Sequence, residues 1–257
     1  MNILAKTSLL ALASLALVSQ SAKADLNYTS GDILLGFRIS NSTEEVVFDL
    51  GKFSTNFGSS FTVDLSADLT AAFGNWSSLK TISWGAVGYV NGGSVFASKA
   101  ETTVGTTVVG YTNLSNANAT KVSNSVIDLN NNLATNGDTA TTYANGEITA
   151  PTDTTSAYWT NEAKGTYTGL SGLSFGVFNS AVFEANNGAT STLSNTALDL
   201  FTLDRTGAGT GTLDGTFTLS SDGVLSYQAV PEPSTYAMMA FGGLGLLRMF
   251  RRRSIKA

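Results

Sequence analysis

Hydrophobic residues in this chain occur in short alternating runs separated by glycine, asparagine and serine, and this spacing most constrains the fold. The runs are Ile33, Leu35, Phe37 and Ile39 (with Leu34 as the exception), then Val46, Phe48 and Leu50, then Phe61, Val63 and Leu65. A period of two places alternate side chains on one face of a β-strand. Threonine, serine and asparagine supply 84 of the 257 residues, a composition typical of strands and turns. We therefore predict an all-β protein whose body is an antiparallel β-sandwich or resembles a jelly roll.

Further runs predict the remaining strands and one hairpin. The additional strands are predicted at 81–90, 103–111, 173–178, 198–204, 212–219 and 224–229. The Asp-Gly pair within residues 220–223 separates the last two runs, which is typical of a β-hairpin. We expect residues 130–156, which are poor in large apolar side chains, to form a surface loop or a partly disordered insertion.

Two segments have helical rather than strand patterns, so we predict one or two short helices beside the strands. The first is Ser66–Phe73, where Ser66 is the predicted N-cap and Gly74 the stop. The second is a stripe of apolar residues spaced three and four apart, made of Ala119, Val122, Val126, Leu129 and Leu133.

The composition excludes several kinds of functional site. The chain has no cysteine and no histidine, so it has no disulfide, no thiolate nucleophile, no imidazole base and no zinc site of the usual type. It also lacks a serine-nucleophile elbow and a phosphate-binding P-loop. We predict that the protein is not an enzyme and that it has no catalytic, cofactor-binding or metal-binding residues.

The charge of the central region argues against nucleic acid as a partner. Residues 25–230 contain 7 basic and 18 acidic side chains, a net charge of −11, whereas the whole chain carries −5. A negatively charged surface repels phosphate backbones. The basic residues are concentrated instead at the two ends of the chain.

The first 24 residues have the pattern of a secretory signal peptide. Lys6 supplies a positive charge, residues 9–18 form an apolar run, and Ala22 and Ala24 complete an Ala-x-Ala site before Asp25. Ten apolar residues span only about half of the hydrocarbon core of a bilayer, which disfavours a membrane anchor. We predict that signal peptidase cleaves after Ala24 and that residues 25–229 form a β-rich extracellular domain.

Residues 230–257 combine a proline-containing strip, an apolar run and a basic cluster. The strip is Pro231, Glu232, Pro233, Ser234 and Thr235; the apolar run is 236–247; the basic residues are Arg248, Arg251, Arg252, Arg253 and Lys256. Proline lacks an N–H and restrains its predecessor, so the strip is expected to be extended and accessible to a protease. The apolar run predicts a short transmembrane helix, and the arginines predict a cytoplasmic anchor that leaves the body outside.

These three features in this order, behind a signal peptide, resemble the PEP-CTERM sorting segment of exported bacterial proteins. Such segments are processed by exosortases, membrane cysteine proteases of Gram-negative bacteria that also make exopolysaccharide. The resemblance implies that an exosortase recognises Pro231, Glu232 and Pro233 and cleaves near them. It also implies a transient anchor in the inner membrane, followed by delivery to the cell surface or the extracellular matrix. The segments 31–38, 47–51 and 214–219 resemble strands of PEP-CTERM proteins whose mature domains have no assigned activity.

We therefore expect an exported structural or adhesive protein of an exopolysaccharide or biofilm matrix, with exopolysaccharide as its partner. One alternative is a carbohydrate-binding module that uses exposed Trp76 or Trp159, since Trp84 lies in an apolar strand. Another is a glycan-active enzyme that uses two carboxylates about 5–10 Å apart. A further alternative is calcium bound by Asp199, Asp204 and Asp214.

Overall fold

Antiparallel β-structure dominates the molecule. The computed structural model describes residues 28–39, 45–78, 82–135, 146–149, 175–178, 180–186 and 196–230. The strands are β1 (Asp32–Ile39), β2 (Glu45–Lys52), β3 (Phe61–Asp64), β4 (Ile82–Tyr89), β5 (Val95–Ala100), β6 (Gly146–Thr149), β7 (Ala185–Asn186), β8 (Ala197–Leu203), β9 (Thr212–Leu219) and β10 (Val224–Ala229). The helices are α1 (Phe53–Asn56), α2 (Ser66–Phe73), α3 (Asn116–Thr135) and α4 (Ser180–Phe183), with 3-10 turns at Trp76–Ser78 and Phe175–Phe178.

All of these strands belong to one sheet with the order β3-β10-β9-β8-β5-β4-β1-β2-β6, and β7 pairs with β4 beside β5. The sheet curls into a half-barrel, and helix α2, which follows edge strand β3, contacts β2 near the opposite edge. The described residues therefore form one curled sheet in place of the two packed sheets of the predicted sandwich. The prediction of an all-β, antiparallel body is confirmed.

The inner face of the curl encloses a large apolar core. Its fully or nearly fully buried residues come from strands along most of the sheet and from the segment around α2, and they include Ile33, Leu35, Phe37, Val46, Phe48, Leu69, Trp76, Trp84, Phe96, Leu200, Phe217, Leu225 and Tyr227. Phe37 and Trp84, on neighbouring strands, stack with ring centroids 5.6 Å apart. Burying such large side chains stabilises the curl by about 1.5–3 kcal/mol each relative to exposure.

Helix α3 covers the outer face and creates a second core. The predicted stripe is confirmed at four of its five positions, because Ala119, Val122, Val126 and Leu129 are all fully buried against the sheet. The side chain of Leu133 lies outside the described part of the chain. Its partners on the sheet include Leu34, Val47, Val87, Phe201 and Leu203. Strands β1 and β4 are consequently buried on both faces, and this explains why Leu34 interrupts the alternation in β1.

Glycines allow close packing on the doubly covered strand β4. A Cβ atom on Gly88 would lie 2.3 Å from the carbonyl oxygen of Asp32, and one on Gly85 would lie 2.9 Å from the ring of Phe183 in α4. Both distances are shorter than Cβ contacts in folded proteins. The small residues of β4 are therefore required by its neighbours on either side.

Several local predictions are wrong. Phe175–Phe178, within the strand predicted at 173–178, form a 3-10 turn instead. Segment 103–111 forms a loop instead of a strand, residues 146–149 form β6 beside β2, and α3 continues to Thr135 instead of ending at a surface loop. Ser66 is not the N-cap of α2, since Leu65 occupies that position and Asp64 accepts the backbone N–H of Ser66 at 2.9 Å. Gly74 ends the helix as predicted, with a positive φ of 64°.

The predicted signal peptide and transmembrane segment lie outside the described residues. Among the helices that are described, none is both long enough and apolar enough to cross a bilayer.

Candidate functional site

The sorting strip begins where the sheet ends. Strand β10 lies between β9 and β3, and its last residue Ala229 is paired with Gly215 of β9. The next residue, Val230, donates its backbone N–H to the carbonyl oxygen of Asp214 at 2.8 Å, and its side chain is 42% exposed. Pro231 follows directly in the sequence. The predicted site residues Pro231 to Thr235, the arginines from Arg248 to Arg253, Ala22 and Ala24 all lie outside the described residues.

A polar cleft is the second feature with functional potential. It has a volume of about 580 Å³ and lies between the end of β5, the loop after it, and the α4–β7 segment. Its polar lining residues are Lys99, Glu101, Thr102, Glu184, Asn186 and Thr196. Carboxylate, amide, hydroxyl and ammonium groups in one cleft suit a hydroxylated ligand.

A buried ion pair forms one wall of this cleft. Arg38 of β1 donates from Nε to both carboxylate oxygens of Glu184, at 2.9 and 3.1 Å, and its Nη2 donates to Oε2. The two side chains are only 11% and 2% exposed. The pair ties the segment after α4 to the sheet, so Glu184 serves the packing of this wall.

Two carboxyl groups meet beside the cleft. Asp199 of β8 is fully buried, accepts the Val108 N–H at 2.8 Å and accepts the Thr216 hydroxyl at 2.7 Å. Glu101 accepts the Gly105 N–H at 2.6 Å and is close enough to Asp199 for the two carboxyl groups to interact electrostatically. Burial raises the pKa of Glu101, and the charge of Asp199 raises it further, whereas the Gly105 N–H lowers it.

This carboxyl pair does not have the geometry of a glycosidase. An acid and a nucleophile or base that act on a sugar lie about 5–10 Å apart, with the substrate between them. Asp199 is fully buried, so a substrate cannot lie between it and Glu101. Both carboxyl groups accept backbone N–H groups of the loop after β5. The pair holds that loop, together with Lys99, which donates to the Val109 carbonyl oxygen at 2.7 Å.

The aspartates proposed for calcium do not converge. Asp204 is exposed and accepts the Ser94 hydroxyl at 3.3 Å, and Asp214 accepts the Thr202 hydroxyl at 2.7 Å. Within the described part of the chain, no three acidic side chains form a group that could hold a metal ion. Burial raises the pKa of Asp214 to about 6, although the hydrogen bonds from Thr202 oppose the shift.

The tryptophans that the structure describes do not form a sugar-stacking surface. Trp76 is 5% exposed and Trp84 is fully buried, both within the inner core. The indole N–H of Trp84 donates to the Thr196 hydroxyl at 2.9 Å. The interpretation of Trp76 as an exposed glycan platform is therefore wrong, because the 3-10 turn after α2 directs it inward. Trp159 lies outside the described residues.

Sequence reasoning missed the two contacts that shape the cleft. Arg38 and Glu184 are 146 residues apart, and no local spacing connects Glu101 with Asp199. The only usable signal was the scarcity of cations, since an isolated arginine in an alternating strand must be partnered if its strand is buried.

Comparison with known proteins identifies one segment. Residues 229–253 match the family described as the PEP-CTERM protein-sorting motif. No curated protein and no solved structure matches the chain. The chain thus carries a PEP-CTERM sorting motif, as the resemblance indicated. The motif implies an exported protein that an exosortase processes, with transient anchoring in a membrane before display at the cell surface.

Proposed function

We propose that this protein is a structural or adhesive component of an exopolysaccharide or biofilm matrix. In this proposal signal peptidase removes the first 24 residues, and an exosortase then releases the β-rich body from the membrane. The body acts through its surface and catalyses no reaction. The match of residues 229–253 to the sorting motif is the observation that carries the proposal.

The packing of the body supports a structural role. Both faces of the central strands are covered. The large hydrophobic side chains that the described residues expose are valines, namely Val90, Val104, Val109 and Val230. The surface is rich in hydroxyl and amide groups, which bind water and sugar hydroxyls equally well. The carboxyl groups around the cleft bind other parts of the protein, and this supports a role in holding the fold.

The destination is tested in the native host with a variant that lacks residues 231–257. We expect the full-length protein in the matrix fraction as a form without the arginine cluster, and the shortened variant in a different fraction. A charge-preserving control replaces Arg251, Arg252 and Arg253 with lysine and should be delivered normally. An unchanged destination of the shortened variant, or a mature form that retains Arg251 to Arg253, would contradict the proposal.

The matrix role is tested separately by enzymatic digestion of the host polysaccharide. A component held by polysaccharide is released into the soluble fraction when the polysaccharide is degraded. If the protein stays with washed cells after complete digestion, it is a surface protein without the matrix role proposed here.

The composition of the cleft favours glycan binding as a second candidate function. Asn186 and Thr102 line it together with the partly exposed Glu101. Binding of purified host exopolysaccharide should then weaken in an Asn186→Ala variant. Thr62→Ala, which removes a hydroxyl group from edge strand β3, is the control. Equal binding by both variants and the unmodified protein would exclude the cleft.

A further inference from the structure

We propose that the exosortase cuts this chain on the carboxyl side of Pro233, because the folded sheet extends to the first residues of the sorting motif. The inference rests on the proposed function and specifies the position of the processing step. In that step water cleaves one peptide C–N bond. The new carboxylate stays on the body, and the new amine begins the membrane segment.

The sorting motif begins at the last residue of the sheet. The match to the motif begins at Ala229, which is the last residue of β10. The N–H of Ala229 donates to the Ser60 hydroxyl at 3.1 Å, and the N–H of Val230 donates to Asp214 at 2.8 Å. Backbone groups that a protease would bind upstream of Pro231 are therefore already bound within the body.

The preceding residues are anchored in the inner core. Tyr227 is 1% exposed, and its ring contacts those of Phe57 and Phe217 at centroid distances of 4.9 Å each. It also stacks on Phe61 of β3 at 5.2 Å. Strand β10 is hydrogen-bonded on both sides, to β9 and to β3. Drawing it into a protease groove would require unfolding of this region, and only a small fraction of folded molecules is open at any time.

The length of chain available to the enzyme fixes the side of the motif on which it cuts. A protease groove holds several extended residues on the amino side of the scissile bond. Each extended residue spans at most about 3.3–3.6 Å, so Pro231, Glu232 and Pro233 together can reach no more than about 10–11 Å beyond Val230. A cut before Pro233 leaves two residues or fewer between the scissile bond and the sheet. A cut after Pro233 makes the whole Pro-Glu-Pro strip available for recognition.

The mature carboxyl terminus tests this directly. The released protein is purified from its native host, and its last residue is determined from the intact mass and the terminal peptide. We expect a last residue at Pro233 or later in the strip. A chain that ends at Glu232 or earlier refutes the inference and leaves exosortase processing intact. A chain that retains Arg251 to Arg253 refutes the proposed function and this inference together.

A spacer variant distinguishes recognition by the motif from trimming at the edge of the fold. Eight glycine and serine residues are inserted between Val230 and Pro231, and the same spacer inserted between Gly92 and Gly93, in the β4–β5 turn, serves as a control. We expect both released proteins to gain the full mass of the spacer, with an unchanged terminal residue. Loss of the junction spacer from the released form, together with its retention in the control, would show that the cut falls upstream of the motif and would overturn the inference.

Discussion

Replacing Arg38 with methionine tests the buried ion pair that joins β1 to the segment after α4. The guanidinium makes three hydrogen bonds to the carboxylate of Glu184, which is only 2% exposed. Methionine fills similar apolar space but leaves this carboxylate buried without its cation. Removing one partner of a buried pair destabilises a protein by about 3–5 kcal/mol.

The hydrogen bonds support the same magnitude. A hydrogen bond to a charged group contributes about 1.5–3 kcal/mol net, and the bonds from Nε to the two oxygens share a single N–H. Two independent donors therefore give about 3–6 kcal/mol. The double variant Arg38→Met, Glu184→Leu removes both charges and should lie within about 1–2 kcal/mol of the unmodified protein, because no unpaired charge is left at this site.

Urea denaturation of the purified protein measures these differences in the free energy of unfolding. Lys52→Met is the matched control, since Lys52 is an exposed cation at the end of β2, and its effect should stay within about 0.5 kcal/mol. An Arg38→Met variant within 1 kcal/mol of the unmodified protein, at an unchanged denaturant slope, would refute the reasoning. A double variant as unstable as the single one would show that shape complementarity, and not charge, dominates.

Three further predictions concern the body. Gly88→Ala should destabilise the protein by several kcal/mol, because the new Cβ would lie 2.3 Å from a backbone oxygen of Asp32, whereas Gly58→Ala, which has open space, should change the melting temperature little. The pKa of Asp214 is raised to about 6 from 3.8, so the folded state binds the proton more tightly than the unfolded state. The contribution of protonated Asp214 to the free energy of unfolding is complete below about pH 4 and is lost as the pH rises through 6. Asp214→Asn should therefore raise the free energy of unfolding by about 1–2 kcal/mol at pH 8, after allowance for partial exposure, and by nearly nothing at pH 4. Trp76→Ala should cost about 3–5 kcal/mol in denaturant titrations without affecting polysaccharide binding, since this side chain lies in the core.

One hairpin and one helix were predictable from local patterns in the sequence. The hairpin at 220–223 connects β9 and β10 as expected, and Gly223 has the positive φ of 87° that its turn requires. The helical stripe that begins at Ala119 is equally local, because its period lies within a few turns of chain. Such signals depend only on neighbouring residues, so one sequence suffices to find them.

The architecture depends on contacts that no local pattern records. Leu34 was an exception to the alternation of β1, and the structure shows that it faces a second core beneath α3. An alternating strand looks the same in a sandwich and in a curled sheet covered by a helix. Strand β6 contains only Ile148 as a large apolar residue, so it gave no strand signal, and its pairing with β2 places it at the sheet edge.

The two candidate functional features also differ in how well the sequence predicts them. The sorting motif is contiguous in the sequence, so it was recognisable from the residues that follow Val230. The cleft is assembled from distant segments, and its contacts between Arg38 and Glu184 and between Glu101 and Asp199 depend on the final pairing of the strands. Sequence alone could count these charges but could not pair them.

This division implies that the motif and the body respond to substitution independently. The motif requires residues that an enzyme can bind, whereas the body requires that its two cores pack. A change at Pro233 should alter processing with no effect on the denaturation midpoint, and a change at Trp76 should do the reverse. The two requirements coincide at Ala229 and Val230, which the sheet binds and the motif includes. Substitutions at these two positions are therefore expected to affect both stability and processing. A substitution that changes only stability or only processing would show that the motif and the fold are independent at these positions.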